Sequence, residues 1–240
     1  MDETNENRFS DIFRLGAISA LAIVLIFLIE LIIVAIFGLP PVFGSAGTWL
    51  FALQQNRILG ILQTFSLDLI AVGLHVPLYV ALFFFLQDIN KGYGLLVLSA
   101  IISFIGIAIY FSSNPTLSMV YLSDQYSVAT SEMQKSQILN SAQAMIALWN
   151  GTAPIAATNL FGLAGVLISI VMLQTGKFPK GVAILGIVGN TLQLGPPVPL
   201  MPHLYVEVDP FLIFVGGVIL LFWYMAIAIK LWRRPKKIIK

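Results

Sequence analysis

Thr64, Asp68, His75 and Tyr79 recur at intervals of four, seven and four in an otherwise apolar stretch, residues 57–86. At about 100° per residue in an α-helix, the four side chains fall within a sector of roughly 60°. One face of such a helix carries a carboxylate, an imidazole and two hydroxyls, and Leu, Ile, Val and Phe fill the rest. An acid and an imidazole on one stripe can bind a polar or charged ligand, or an ion. They can also do hydrolytic work, with His75 as base and Asp68 or Glu30 orienting it. Pro77 adds to the polarity, because it removes a backbone donor and frees the carbonyl of Gly73 one turn from His75. A stripe of this kind is too costly to face lipid and must face a protein interior.

Three further polar residues stand inside apolar runs: Glu30, Asn190 and Gln193. If the run that begins at Leu15 crosses a membrane outward, Glu30 lies about 22 Å above Leu15, in the outer half. Asp68 falls in the outer half of the next span, His75 about 10 Å deeper, and Asn190 near the middle of a later span. The expected ligand-binding set is therefore Glu30, Asp68, His75, Asn190 and Gln193, lining a polar cavity open to the outer face. The competing reading is a structural network in which Asp68 pairs with Arg57 and the two amides bond neighbouring helices. His203, Glu207 and Asp209 also cluster, and a His with two carboxylates is one way to hold a divalent cation. With two histidines and no cysteine in the chain, the usual ligand sets are not available, and neither a metal nor a cofactor is expected. The sequence contains no Gly-rich phosphate loop, nucleophile elbow or His-Glu-x-x-His helix. Catalytic residues are not assigned, and no nucleic-acid partner is expected.

The elements that must position these groups are apolar helices. At 58% hydrophobic and 10% charged residues, the 240-residue chain has a membrane composition and belongs in a lipid bilayer. The predicted fold is all-α with six transmembrane helices. Residues 1–14 form a polar N-terminal tail, 15–232 the six-span domain, and 233–240 a basic cytoplasmic tail. The spans are predicted at 15–37, 57–86, 93–111, 158–174, 181–194 and 210–232, the first being too long for a signal-peptide core. Residues 38–56 read as a Gly/Pro loop, with Trp49 and Phe51 placed at the membrane interface. Between spans three and four, residues 115–150 predict an outer amphipathic helical hairpin. Its second helix opens on Ser131 with Gln134 three residues on, a capping-box spacing.

Orientation follows from charge. With six spans and both termini in the cytoplasm, eleven Lys and Arg residues lie on the cytoplasmic side and two, Arg57 and Lys135, on the outer side. This predicts a multi-pass protein of the cell membrane. The basic tail from Arg233 onward anchors span six and is suited to anionic lipid headgroups. One internal echo, Ile58-Leu-Gly-Ile-Leu-Gln-Thr64 against Ile184-Leu-Gly-Ile-Val-Gly-Asn190, would pair spans two and five in inverted repeats. Four matching positions in an Ile/Leu/Gly-rich chain do not carry that inference.

Several segments together give the chain a family likeness: Leu67-Asp68 through Val76-Pro77-Leu78-Tyr79-Val80-Ala81-Leu82, the helical pair leading into Trp149-Asn-Gly-Thr, and Gly162-Leu-Ala-Gly165 through Val171-Met-Leu-Gln-Thr-Gly176 followed by Ile184-Leu-Gly-Ile. With them the chain resembles a widespread prokaryotic family of six-span integral membrane proteins whose shared domain has no assigned function. The resemblance implies the six-span architecture over most of the length and supplies no activity. The expected function is binding or transport of a small or amphiphilic ligand. The alternatives are a membrane-embedded hydrolase built on His75 and Asp68, or a non-catalytic partner subunit of a membrane complex, favoured if the Met145, Ile146 and Trp149 face of the hairpin stays exposed after folding.

Overall fold

The structure, a computed structural model, describes residues 9–38, 45–63, 66–87, 92–194 and 210–233. Among them the chain is all-helical, with ten helices and no strands. They are α1 (Ser10–Phe37), α2 (Ala46–Gln55), α3 (Arg57–Leu62), α4 (Ser66–Leu86), α5 (Tyr93–Ser113), α6 (Thr116–Val128), α7 (Glu132–Trp149), α8 (Thr152–Thr175), α9 (Lys180–Leu192) and α10 (Pro210–Trp232). By length and composition, α1, α4, α5, α8 and α10 can each cross a membrane. The thirteen residues of α9 rise about 20 Å, short of a hydrocarbon core of about 30 Å.

Six helices form a closed ring in chain order: α1, α4, α5, α8, α9, α10 and back to α1. Each runs antiparallel to both neighbours, as the facing residues show. Gly16 lies against Ala81 and Leu231, Gly106 against Ala157 and Leu160, Gly189 against Leu220, and Gly217 against Phe27. Small residues allow this close approach. A Cβ on Gly189 would sit 2.9 Å from the Leu220 side chain, and one on Gly217 would sit 2.7 Å from the Phe27 ring. Ser99 Oγ donates to the Ala164 carbonyl at 2.8 Å, a bond between ring neighbours that have no aqueous alternative.

The other four helices form a cap over one end of the ring, opposite the end where α1 begins and α10 finishes. Trp49, Leu50 and Leu53 of α2, Met119 of α6, and Ala142 and Ile146 of α7 make its buried core. Ser123 Oγ donates to the Leu50 carbonyl, and Gln54 Nε2 donates to the Ser123 carbonyl. Arg57 and Asp124 form a two-pronged ion pair, at 2.6 and 3.0 Å. The capping box is formed in full: Ser131 Oγ accepts from the Gln134 backbone, and the Gln134 side chain accepts from the Ser131 backbone.

The structure corrects four expectations. The predicted loop 38–56 contains α2, started by Ser45 Oγ accepting from the Thr48 N–H. Trp49 is therefore fully buried in the cap instead of lying at the membrane interface. The predicted helix 57–86 divides into α3 and α4. Asn56 caps the first of these, and Ser66 Oγ donates back to the Ile61 carbonyl at 2.6 Å where the second begins. This division also dissolves the internal echo, because 58–62 falls in a cap helix and 184–190 within the ring. Finally, the hairpin face whose exposure would favour a partner subunit is covered by α2, leaving Ile146 buried and Met145 and Trp149 partly so. Thr64, residues 195–202, the His203, Glu207 and Asp209 cluster, and the basic tail beyond Arg233 lie outside the described residues.

Candidate functional site

The ring is packed solid over the half nearer the termini. Ala17, Ala20, Leu78, Leu82, Leu86, Ile168, Met172, Trp223, Ile227 and Leu231 are buried there in one cluster. Toward the cap the packing opens into a chamber of about 210 Å³, to which all six ring helices contribute. Along α4 its wall runs from Asp68 through Ala71, Val72 and His75 to Tyr79, about 16 Å at 1.5 Å per residue. Tyr110 of α5, Thr158, Phe161 and Gly162 of α8, Asn190 and Gln193 from α9 and its C-terminal cap, and Gly217, Leu220, Leu221 and Tyr224 of α10 complete it with Ile23 and Phe27 of α1. Asp68 lies in the first turn of α4 and Tyr110 in the last turn of α5, so the chamber reaches the cap end of the ring.

His75 stands in the deeper half of the chamber, one turn before Tyr79. Its Nδ1 lies 2.8 Å from the Ala71 carbonyl, one helical turn back, and its Nε2 lies 2.8 Å from the Tyr224 hydroxyl. A carbonyl can only accept, so Nδ1 carries a hydrogen. In the neutral ring Nε2 then accepts from the Tyr224 O–H. The phenol oxygen keeps its lone pairs for a further donor. Rings gather around the imidazole at steep angles: Tyr224 at 5.6 Å and 80°, Phe161 at 5.7 Å and 46°. Tyr110 in turn stands 6.4 Å from Phe161 at 66°, and on its other side meets Trp149 of the cap at 5.5 Å and 84°.

Four of the five expected site residues, Asp68, His75, Asn190 and Gln193, line this one chamber. Glu30 does not line it. It sits about one turn beyond Phe27 toward the cap, near enough to Asp68 for the two carboxylates to interact electrostatically. Neither carboxylate orients His75, whose two nitrogens are already engaged, so the dyad expected for hydrolysis is not assembled. Arg57 is committed to Asp124 in the cap and does not pair with Asp68. Asn190 also has a structural duty, as its Nδ2 donates to the Gly186 carbonyl at 2.7 Å while its side chain fills the space beside Gly165. The residues missed from the sequence are Tyr110, Phe161 and Tyr224. Tyr224 carried a readable signal, because a phenol in mid-span is too deep for the interfacial belt and needs a polar partner.

An all-helical ring in which five of the six apolar helices are long enough to cross a membrane defines an integral membrane protein, α-helical and multi-pass. The chain belongs to the family described as Domain of unknown function (DUF4386), which matches residues 15–227. No curated protein and no solved structure matches the chain.

Proposed function

We propose that the protein binds a small ligand, or the polar head of an amphiphilic one, in the chamber beside α4, and that the ligand enters from the cap end. The observation that supports this reading is the contrast between the two halves of the ring. The half nearer the termini is filled with interlocking apolar side chains, whereas the other half keeps open a space walled by a carboxylate, an imidazole, two amides and three phenols. Helix packing alone favours closing such a space, since every unfilled volume forfeits dispersion contacts. In the orientation proposed here, which the positive-inside charge count favours, the cap end lies outside the cell membrane and both termini in the cytoplasm. Transport would require the packed half to part, and binding requires only the chamber. The basic residues from Arg233 onward would hold the end of α10 to anionic headgroups on the cytoplasmic leaflet.

Native mass spectrometry of the purified full chain tests the reading. A retained small mass should be present on the wild type and displaced in Ala71→Phe, which fills the chamber from α4. Equal retention by the two proteins would count against it.

A further inference from the structure

We propose that the ligand is a small organic cation, its ammonium group held against the Asp68 carboxylate inside a box of aromatic rings; this rests on the binding reading above. The sign of the site comes first. Among the described residues Asp68 is the one formally charged residue in the chamber wall and no Lys or Arg lines it, and Glu30 adds a second carboxylate within electrostatic range. An anion would meet repulsion from both carboxylates, with only neutral amide and hydroxyl donors to offset it.

The rings supply the second observation. Phe27, Tyr79, Tyr110, Phe161 and Tyr224 all wall the chamber, Tyr79 and Tyr224 in the part farther from Asp68, and the rings whose mutual geometry is defined stand at steep angles to one another. Tyr110 meets Phe161 at 66°, and Tyr224 meets His75 at 80°. Ring faces carry the negative part of the aromatic quadrupole, and cations, quaternary ammonium above all, settle against several of them.

Size and donor number then separate an ammonium from a metal ion. Hard metal cations take about six or more oxygen ligands, and no group of three or more His, Asp or Glu side chains gathers among the described residues. The space also exceeds what a bare ion fills. A cavity of about 150 Å³ admits benzene, so about 210 Å³ suits an ammonium bearing a few carbons. A free amine and the headgroup of a zwitterionic lipid reaching in from the outer leaflet both present such a group, and the recognition chemistry is the same for both.

The chain contains no cysteine, so Ala71→Cys places a single thiol in the chamber wall. The full-length variant is reconstituted in phosphatidylglycerol vesicles and treated with methanethiosulfonates of equal length bearing either a trimethylammonium or a sulfonate head. The ammonium reagent should react about tenfold faster than the sulfonate, relative to the same ratio at Ser136→Cys on the cap surface. Adding Asp68→Asn should bring the two ratios together. Choline should protect the thiol, and its neutral isostere 3,3-dimethylbutan-1-ol should not. Equal rates, a faster sulfonate, or equal protection by the isostere would overturn the cation proposal and leave the binding reading standing. Failure of both reagents to react would overturn both. Thr158→Cys, on the opposite wall, repeats the measurement should Ala71→Cys not fold. Slower ammonium labelling once phosphatidylethanolamine replaces phosphatidylglycerol identifies a headgroup as the source, and an unchanged rate with choline protection identifies a free amine; either supports the proposal.

Discussion

His75 shows how much of the site is decided by single atoms. Because its Nδ1 is committed to the Ala71 carbonyl, the neutral ring has one tautomer open to it, and Tyr224 is cast as the donor. Nitrogen NMR on histidine-labelled protein, with His203→Gln removing the second signal, should find Nδ1 protonated and Nε2 bare. A protonated Nε2 in the neutral ring would show that the pair is wrongly described. Tyr224→Phe removes the donor and should cost about 0.6 kcal/mol, the average for hydrogen bonds inside membrane bundles. The larger figure of about 1–3 kcal/mol for an orphaned buried group does not apply where a polar chamber can solvate the freed nitrogen. Thermal unfolding in detergent measures the difference. Asp68 and His75 were legible in the sequence because ionisable groups in an apolar run are expensive and therefore conspicuous. Phe161 and Tyr110 were not, since an aromatic ring in such a run looks the same whether it meets lipid or a ligand.

At the level of elements, the fold depends on close helix approach in the ring and on a small apolar core in the cap. Gly186 faces the Ser169 hydroxyl and the Trp223 indole, with no room for a methyl group, whereas Gly181, in the same helix, faces open space. Gly186→Ala should therefore destabilise the protein by about 1–3 kcal/mol through overpacking. Gly181→Ala should be neutral or slightly stabilising, and thermal unfolding of the two variants side by side decides whether the contact or the residue type matters. In the cap, the Trp49 indole N–H is buried without a partner among the described residues. Trp49→Phe should then cost less than about 1.5 kcal/mol as a near-conservative swap, while Trp49→Ala should cost about 3–5 kcal/mol and speed hydrogen exchange of the α2 and α7 amides. The helix α2 escaped the sequence reading for a physical reason. Ten residues fall short of the window of about 11–18 over which helical periodicity is read, and the Gly and Pro residues that precede them carry the stronger local signal. The hairpin was legible because Ser131 and Gln134 announce a helix start on their own.

For the whole molecule, the ring follows from apolar segments that succeed one another in the chain and pack in the same order. Run lengths gave the long helices directly. Closure of the ring did not follow from them, because it depends on Gly16, Gly217 and Phe27 meeting across the first and last helices, and no local pattern reports such a pairing. The proposed orientation predicts that a cysteine at Lys135 or Gly47 is modified by an impermeant reagent in intact cells, and one at Lys180 only after the membrane is opened; labelling in the reverse sense would invert the topology. The junction of α1 with α10 has a further meaning for biogenesis. Five of the six ring interfaces join helices that leave the ribosome one after the other, so each can form as soon as its second member is inserted. The sixth waits for the final helix, which brings Gly217, Leu220 and Tyr224 to the chamber wall. Until then His75 lacks the Tyr224 hydroxyl and the groove lies open sideways to the acyl chains, so a nascent chain stalled before α10 has a membrane anchor and an unfinished chamber.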